Sequence, residues 1–74
     1  MKRSLSLRGH RTSIALEPEF WAVIERAAKS SGHSLAGFIA SLDDERTGAK
    51  SRQGLASYLR VWALLWAQEQ NRER

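Results

Sequence analysis

The sequence predicts a mostly α-helical fold that begins with one short β-strand and continues with three helices. Polarity alternates over residues 11–16, apolar residues recur at helical spacing in three later segments, and glycine or serine residues separate those segments. The 74 residues make one domain without a cysteine for a disulfide. Because so small a chain buries only about 60% of its surface, we expect a second copy to complete the core.

The predicted strand is RTSIAL, residues 11–16, and its alternation assigns the side chains to two faces. We expect Ile14 and Leu16 to point into the helices, with Thr12 on the same side near the strand end. The opposite, outward face consists of Arg11, Ser13 and Ala15.

A basic arm precedes this strand. Residues 1–10 contain Lys2, Arg3 and Arg8 and no acid, in a chain of net charge +4. The segment SLSL, residues 4–7, also alternates in polarity and is a possible extra strand. The intervening RGH forms either a hairpin loop or a bend in an extended arm, and the sequence leaves both open.

The first helix is predicted over about residues 18–31. Pro18 suits the first helical position, where its missing N–H costs nothing, and Glu17 and Glu19 lie at the positive end of the helix dipole. Gly32 suits the C-cap. The apolar residues at helical spacing are Phe20, Trp21, Ile24, Ala27 and Ala28.

The second helix follows Ser34, a good N-cap, and ends near residue 46, so that residues 11–46 form the main unit. After a short linker, residues 51–70 form a C-terminal helix, and we expect residues 71–74 to be a frayed polar tail.

The order of strand, proline-started helix, glycine turn and serine-capped helix resembles the ribbon-helix-helix family. The resemblance covers residues 11–39, RTSIALEPEFWAVIERAAKSSGHSLAGFI, and includes the junction AAKSSGHSLAGFI between the first two helices. The C-terminal helix departs from the smallest members and is similar to an extension found in some bacterial subfamilies. The resemblance therefore implies a ribbon-helix-helix core plus a third helix.

A single strand has no ladder partner in its own chain, and unpaired buried backbone groups are costly. Two copies related by a twofold axis pair such strands antiparallel. The resemblance implies this arrangement: an intertwined homodimer whose two-stranded intersubunit ribbon enters the major groove of double-stranded DNA, as expected of a transcriptional regulator. The implied dimer core consists of Ile14, Leu16, Phe20, Trp21, Ile24, Phe38 and Ile39.

The resemblance also gives the outward strand face a base-reading role. Arg11 suits guanine, Ser13 suits several base edges, and Ala15 suits only the thymine methyl group. The alternative is that these residues form an outer face exposed to solvent, which requires no DNA.

Phosphate contacts are expected at two places, the basic arm and the free N–H groups that open the second helix. A solvated arm and ordinary capping by Ser34 explain the same residues without DNA. The candidate phosphate contacts are Lys2, Arg3 and Arg8 in the arm and Ser34, Leu35 and Ala36 at the helix.

A protein-interaction module is the alternative function. If SLSL pairs with RTSIAL, the dimeric ribbon becomes four strands wide and fits poorly in a groove about 12 Å across, which favours a protein partner. The N-terminal strand or the aromatic residues of the C-terminal helix would then bind that partner, as in an antitoxin or adaptor. Aromatic residues at this spacing, Tyr58, Trp62 and Trp66, more often belong to a core.

The remaining function classes have little support in the sequence. It lacks a cysteine nucleophile, a glycine-rich phosphate loop and a G-x-S-x-G motif, so we expect no enzyme. His10 and His33 stand apart in polar contexts, so we expect no metal or other cofactor. No apolar segment approaches membrane-spanning length and no signal sequence is present, so we expect no membrane partner and a cytoplasmic location.

Overall fold

A computed structural model describes residues 1–72 and contains a β-hairpin followed by three helices. Asn71 and Arg72, expected in a frayed tail, belong to the last helix, and the rest of that tail, residues 73–74, lies outside the described residues. The elements are β1 (Lys2–Leu7), β2 (His10–Ala15), α1 (Pro18–Ser30), α2 (Leu35–Gly48) and α3 (Leu55–Arg72).

The two strands form an antiparallel hairpin within one chain. Lys2 lies opposite Ala15 and Leu7 lies opposite His10, so the whole of β1 pairs with the whole of β2. The prediction of a ribbon-helix-helix fold with a third helix is confirmed, but the expectation of one strand, paired only between subunits, is corrected. β2 already has a partner in its own chain.

The turn and the apolar residues of β1 explain this pairing. Arg8 and Gly9 connect the strands with positive φ angles of 54° and 85°, as a two-residue type I′ turn requires. Folding β1 back onto β2 buries Leu7 and half-buries Leu5, which an extended arm would leave in water. Of the two possibilities for RGH, the structure therefore adopts the hairpin loop.

Local signals in the sequence start and stop α1 and α2. Pro18 begins α1, and Gly32 follows its end with a positive φ of 75°, which lets the chain reverse. Ser34 caps α2, because its Oγ accepts a hydrogen bond from the backbone N–H of Gly37 over 3.1 Å.

The helices form a layer beneath one face of the hairpin. α2 contacts β1, α3 contacts β2, and α1 packs against both of these helices. None of the helices within residues 1–72 is long and apolar enough to cross a membrane. The arrangement leaves the other face of the hairpin uncovered.

The core lies within one chain and draws on every element. Of the residues expected to form a dimer core, five are buried here and Phe20 and Phe38 are half-buried. Burial of these residues does not require a second copy. β1 and α3 of the same chain pack against them, where the sequence predicted a partner subunit. The buried core residues are Leu7, Ile14, Leu16, Trp21, Ile24, Ala27, Ala28, Ile39, Leu42, Leu59 and Ala63.

The aromatic residues of α3 pack onto the other helices. Trp62 meets Phe38 of α2 edge to face with ring centroids 5.2 Å apart, and it stacks on Trp66 at 6.3 Å. The guanidinium of Arg26 lies over Trp66 at 5.7 Å from the ring centroid. These contacts agree with the expectation that aromatic residues at helical spacing serve packing.

Candidate nucleic-acid interface

The uncovered face of the hairpin carries two parallel rows of polar and small side chains. Residues that oppose each other in an antiparallel pair point to the same face, so each residue of β2 on this face has a neighbour from β1. All members are exposed to solvent. The outer face consists of the pairs Lys2 and Ala15, Ser4 and Ser13, and Ser6 and Arg11.

This outer face is basic. None of its members is acidic, and no carboxylate within residues 1–72 forms an ion pair with Lys2 or Arg11. The serine side chains are short and offer hydroxyl donors and acceptors. A face with unpaired cations and short hydroxyl side chains suits a polyanion such as the nucleic-acid backbone.

The hydrogen-bond ladder shows which edge of the hairpin is free. Met1 and Leu16 exchange two hydrogen bonds, of 2.7 Å and 3.1 Å, just beyond the strand ends. Hydrogen-bonded pairs alternate with non-bonded pairs along an antiparallel ladder. The backbone N–H and C=O groups of Arg11, Ser13 and Ala15 therefore point away from β1, to the outer edge of β2.

Arg60 of α3 binds at the end of this free edge. Its Nη2 donates to the carbonyl oxygen of Ala15 over 3.3 Å, and its Nε donates to Glu17 Oε1 over 2.9 Å. The hydrogen bond from Arg60 lowers the pKa of the Glu17 carboxyl below its ordinary value, with a smaller contribution from a backbone hydrogen bond. α3 therefore lies on the side of the molecule where β2 has no partner strand among residues 1–72.

The predicted basic arm does not act as one group. Lys2 lies on the outer face, but Arg3 points to the opposite face, where it pairs with Glu25 at 3.0 Å and lies 4.8 Å from the ring centroid of Trp21. Arg8 occupies the turn and pairs with Asp44 of α2. Of the three cations of the arm, Lys2 alone lies on the candidate interface without an ion pair in the described chain.

The N-terminus of α2, the second predicted phosphate contact, is a capped helix start. Ser34 is exposed and uses its hydroxyl as a cap, which satisfies the N–H of Gly37. Leu35 and Ala36 are half-buried by their side chains and pack against the core. Their backbone N–H groups belong to the first turn of a helix, where donors lack intrahelical partners.

Comparison with known proteins identifies the family. A family model described as a ribbon-helix-helix domain matches residues 1–67 of the 74. The chain belongs to the ribbon-helix-helix family. The fold is that of DNA-binding transcription regulators, and the match extends through β1 and most of α3 as well as the part that the sequence resemblance covers.

A solved structure shares the whole ribbon-helix-helix arrangement. An uncharacterized protein from Bordetella pertussis Tohama I superposes with a TM-score of 0.82 and 31% sequence identity. The superposition covers 99% of this chain and 59% of that chain, so this chain spans little more than half the length of the Bordetella protein. No curated protein matches the chain.

Part of this ribbon-helix-helix surface was not predicted from the sequence. Ser4 and Ser6 share the outer face with the predicted reading residues, and the alternation of SLSL across a two-residue turn was the signal that could have placed them there. Arg60 carried no such signal. It donates a hydrogen bond to the carbonyl of Ala15, 45 positions earlier in the chain, and no local sequence pattern predicts a contact over that separation.

Proposed function

We propose that this ribbon-helix-helix protein is a cytoplasmic homodimer that binds double-stranded DNA with sequence preference and regulates transcription. The outer hairpin face carries the proposal, because it is basic, free of acids and bordered by an unpaired strand edge. Arg11, Ser13 and Ala15 are its base-reading residues.

Pairing of β2 with its own copy supports the homodimer. The free edge of β2 presents backbone donors and acceptors at Arg11 and Ser13, and an exposed row of this kind is a template for another strand. At Ala15 the N–H points to the same edge, whereas the carbonyl already accepts a hydrogen bond from Arg60. Antiparallel pairing across a twofold axis is self-complementary, so the same edge serves both copies. The dimer then has a four-stranded face in the order β1, β2, β2 and β1.

The width of that face decides how it meets DNA. Neighbouring strands lie about 4.8 Å apart, so four strands span roughly 14 Å between the outer strand axes, more than the groove width of about 12 Å. The two central strands span about 5 Å and fit. We therefore propose that the β2 pair enters the major groove while each β1 lies over a groove wall.

The residues of β1 suit that position. Its outer face offers Lys2, Ser4 and Ser6, a cation and two hydroxyl groups, which are common phosphate ligands. The short serines let the backbone of β1 come close to the phosphates. The first turn of α2, at Ser34, Leu35 and Ala36, remains a second proposed phosphate contact.

Binding of the full chain to duplex DNA tests the proposal. Duplexes selected from a random pool are labelled, and fluorescence anisotropy is followed against salt concentration. We expect the affinity to fall steeply with salt and the selected duplexes to bind more tightly than scrambled ones. Absence of binding to any duplex at low salt would show that the outer face does not serve DNA.

A protein partner is the second candidate function. The intrachain hairpin favours it, since the four-stranded face is too wide to enter the groove as a whole. Under this candidate the outer face binds a protein, and substitution of Arg11 weakens that complex while DNA has no effect on it. Affinity purification with the full chain supplies the protein to be tested. Competition between that protein and a selected duplex for binding to the chain then separates the two candidates.

A further inference from the structure

We propose that the exposed apolar stripe of α3, consisting of Val61, Leu64 and Leu65, packs against the same stripe of a second copy of this chain. The inference rests on the proposed homodimer and names the element that completes its interface below the ribbon. These three side chains are 45%, 53% and 58% exposed, in a helix whose opposite side holds the fully buried Leu59.

The position of Arg60 places the stripe at the dimer side of the molecule. Going round α3 at about 100° per residue, buried Ala63 is followed by Arg60, then Leu64, then Val61. Arg60 reaches up to the Ala15 carbonyl, which points out of the free edge of β2. Around the helix, the buried residues lie on one side of Arg60 and the apolar stripe lies on the other. The stripe is therefore next to the free edge of β2, below the level of the sheet.

A copy that pairs with the β2 edge brings its own α3 to the same place. The twofold axis between the two β2 strands passes below the sheet between the two α3 helices. Each apolar stripe then faces its equivalent, and burial of both removes the largest exposed aliphatic side chains of α3 from water. The ribbon edge and the stripe thus form one continuous interface.

Size and charge favour a second copy as the occupant. A stable interface buries roughly 800 Å² on each partner, and three partly exposed aliphatic side chains provide only a fraction of this. A second copy that pairs with the adjoining β2 edge adds to the buried area. The neighbouring Ser57 and Gln68 are uncharged. The charged neighbours Arg60 and Glu69 form ion pairs with Glu17 and Arg72, so two stripes meet without unpaired like charges.

Sedimentation equilibrium of the full chain tests this interface. We expect the double substitution Val61→Lys and Leu64→Lys to raise the dimer dissociation constant by roughly thirtyfold or more, because a buried ammonium group would face its equivalent. Ala22→Lys, at an exposed position of α1, adds a charge outside the interface and should change the constant by no more than about twofold. Circular dichroism checks that each variant stays helical.

A proline substitution separates the stripe from the ribbon. The N–H of Ser13 points to the free edge, so Ser13→Pro blocks pairing between copies while it keeps the hairpin ladder. If Ser13→Pro dissociates the dimer and the double lysine variant does not, the homodimer stands and the stripe inference is wrong. If the unchanged chain is monomeric at about 100 μM, both are wrong.

Cysteine cross-linking gives a second readout that does not depend on affinity. The chain has no cysteine, so a single introduced thiol reacts only with its equivalent in another copy. Leu64→Cys and Val61→Cys should form disulfide-linked dimers under mild oxidation, whereas Ala22→Cys should not. Equal cross-linking at all three positions would indicate random collision and overturn the inference.

Discussion

Arg60 and Ala15 are joined by a hydrogen bond of 3.3 Å from the guanidinium of α3 to the last carbonyl of β2. The same side chain binds Glu17, the residue that precedes α1. Through this contact the third helix holds the end of the strand whose outward face is proposed to read DNA. α3 is therefore part of the support of the ribbon and more than an appended segment.

Replacement of Arg11 should reduce sequence preference. We expect Arg11→Ala to weaken binding of a selected duplex by about 1–3 kcal/mol, because alanine cannot form the bidentate pair with guanine. Arg72→Ala removes the same charge from the far end of α3 and serves as the matched control. An equal loss of affinity for selected and scrambled duplexes would make Arg11 a phosphate contact.

Lys2 and Arg3 are neighbours in sequence but should differ in effect. Lys2→Ala should lower the slope of log affinity against log salt by about one for each phosphate that the protein no longer neutralises. Arg3→Ala should leave that slope unchanged and lower the free energy of unfolding by about 1 kcal/mol, because Arg3 is engaged with Glu25 and Trp21. A reduced slope for Arg3→Ala would show that its ion pair opens on DNA.

The ion pair of Glu17 should make stability depend on acid. The pKa of Glu17 is lowered in the folded chain by the hydrogen bond from Arg60. The stabilisation is therefore fully present above the ordinary pKa of an unfolded glutamate and is lost as pH falls through the lowered value. Melting curves of Glu17→Gln against the unchanged chain should differ at neutral pH and converge in acid.

A matched carboxylate separates this effect from general acid sensitivity. Glu19 lies at the same helix end and forms no ion pair in the described chain. Glu19→Gln removes a carboxylate without breaking an ion pair, so at neutral pH it should lower the melting temperature less than Glu17→Gln does. Equal losses for the two variants would show that the Arg60 contact contributes nothing specific to stability.

Leu59 should be among the residues on which folding depends most. Its side chain is fully buried where α3 meets the core. Leu59→Ala should lower the free energy of unfolding by about 2–5 kcal/mol in urea titrations. A decrease below about 1 kcal/mol would show that α3 is only loosely attached to the core.

Gly9 should be required by the hairpin turn. Its φ of 85° is strained for any residue with a Cβ, so Gly9→Ala should cost about 1 kcal/mol of stability. Gly48→Ala is the matched control, because Gly48 ends α2 without a positive φ angle and has open space around its Cβ position. An equal loss of stability in the two variants would show that the turn geometry is not the cause.

The local features of this protein follow from its amino-acid sequence. Pro18, Gly32 and Ser34 placed the boundaries of α1 and α2 within a few residues, because caps and turns act over short distances. Alternation placed Arg11, Ser13 and Ala15 on a common exposed face, because the two-residue period of a strand is a property of its backbone. The family followed from the order of these elements.

The contacts between distant residues depend on the packing of the whole fold. Alternation in SLSL and RTSIAL allowed a hairpin or a pairing between copies, and burial of Leu7 against the helices selected the hairpin. Arg3 and Arg8 were equivalent cations in the sequence, yet each found a carboxylate on a different helix. Contacts between distant segments depend on how whole elements pack, which no local period encodes, and this packing also set Arg60 beside Ala15.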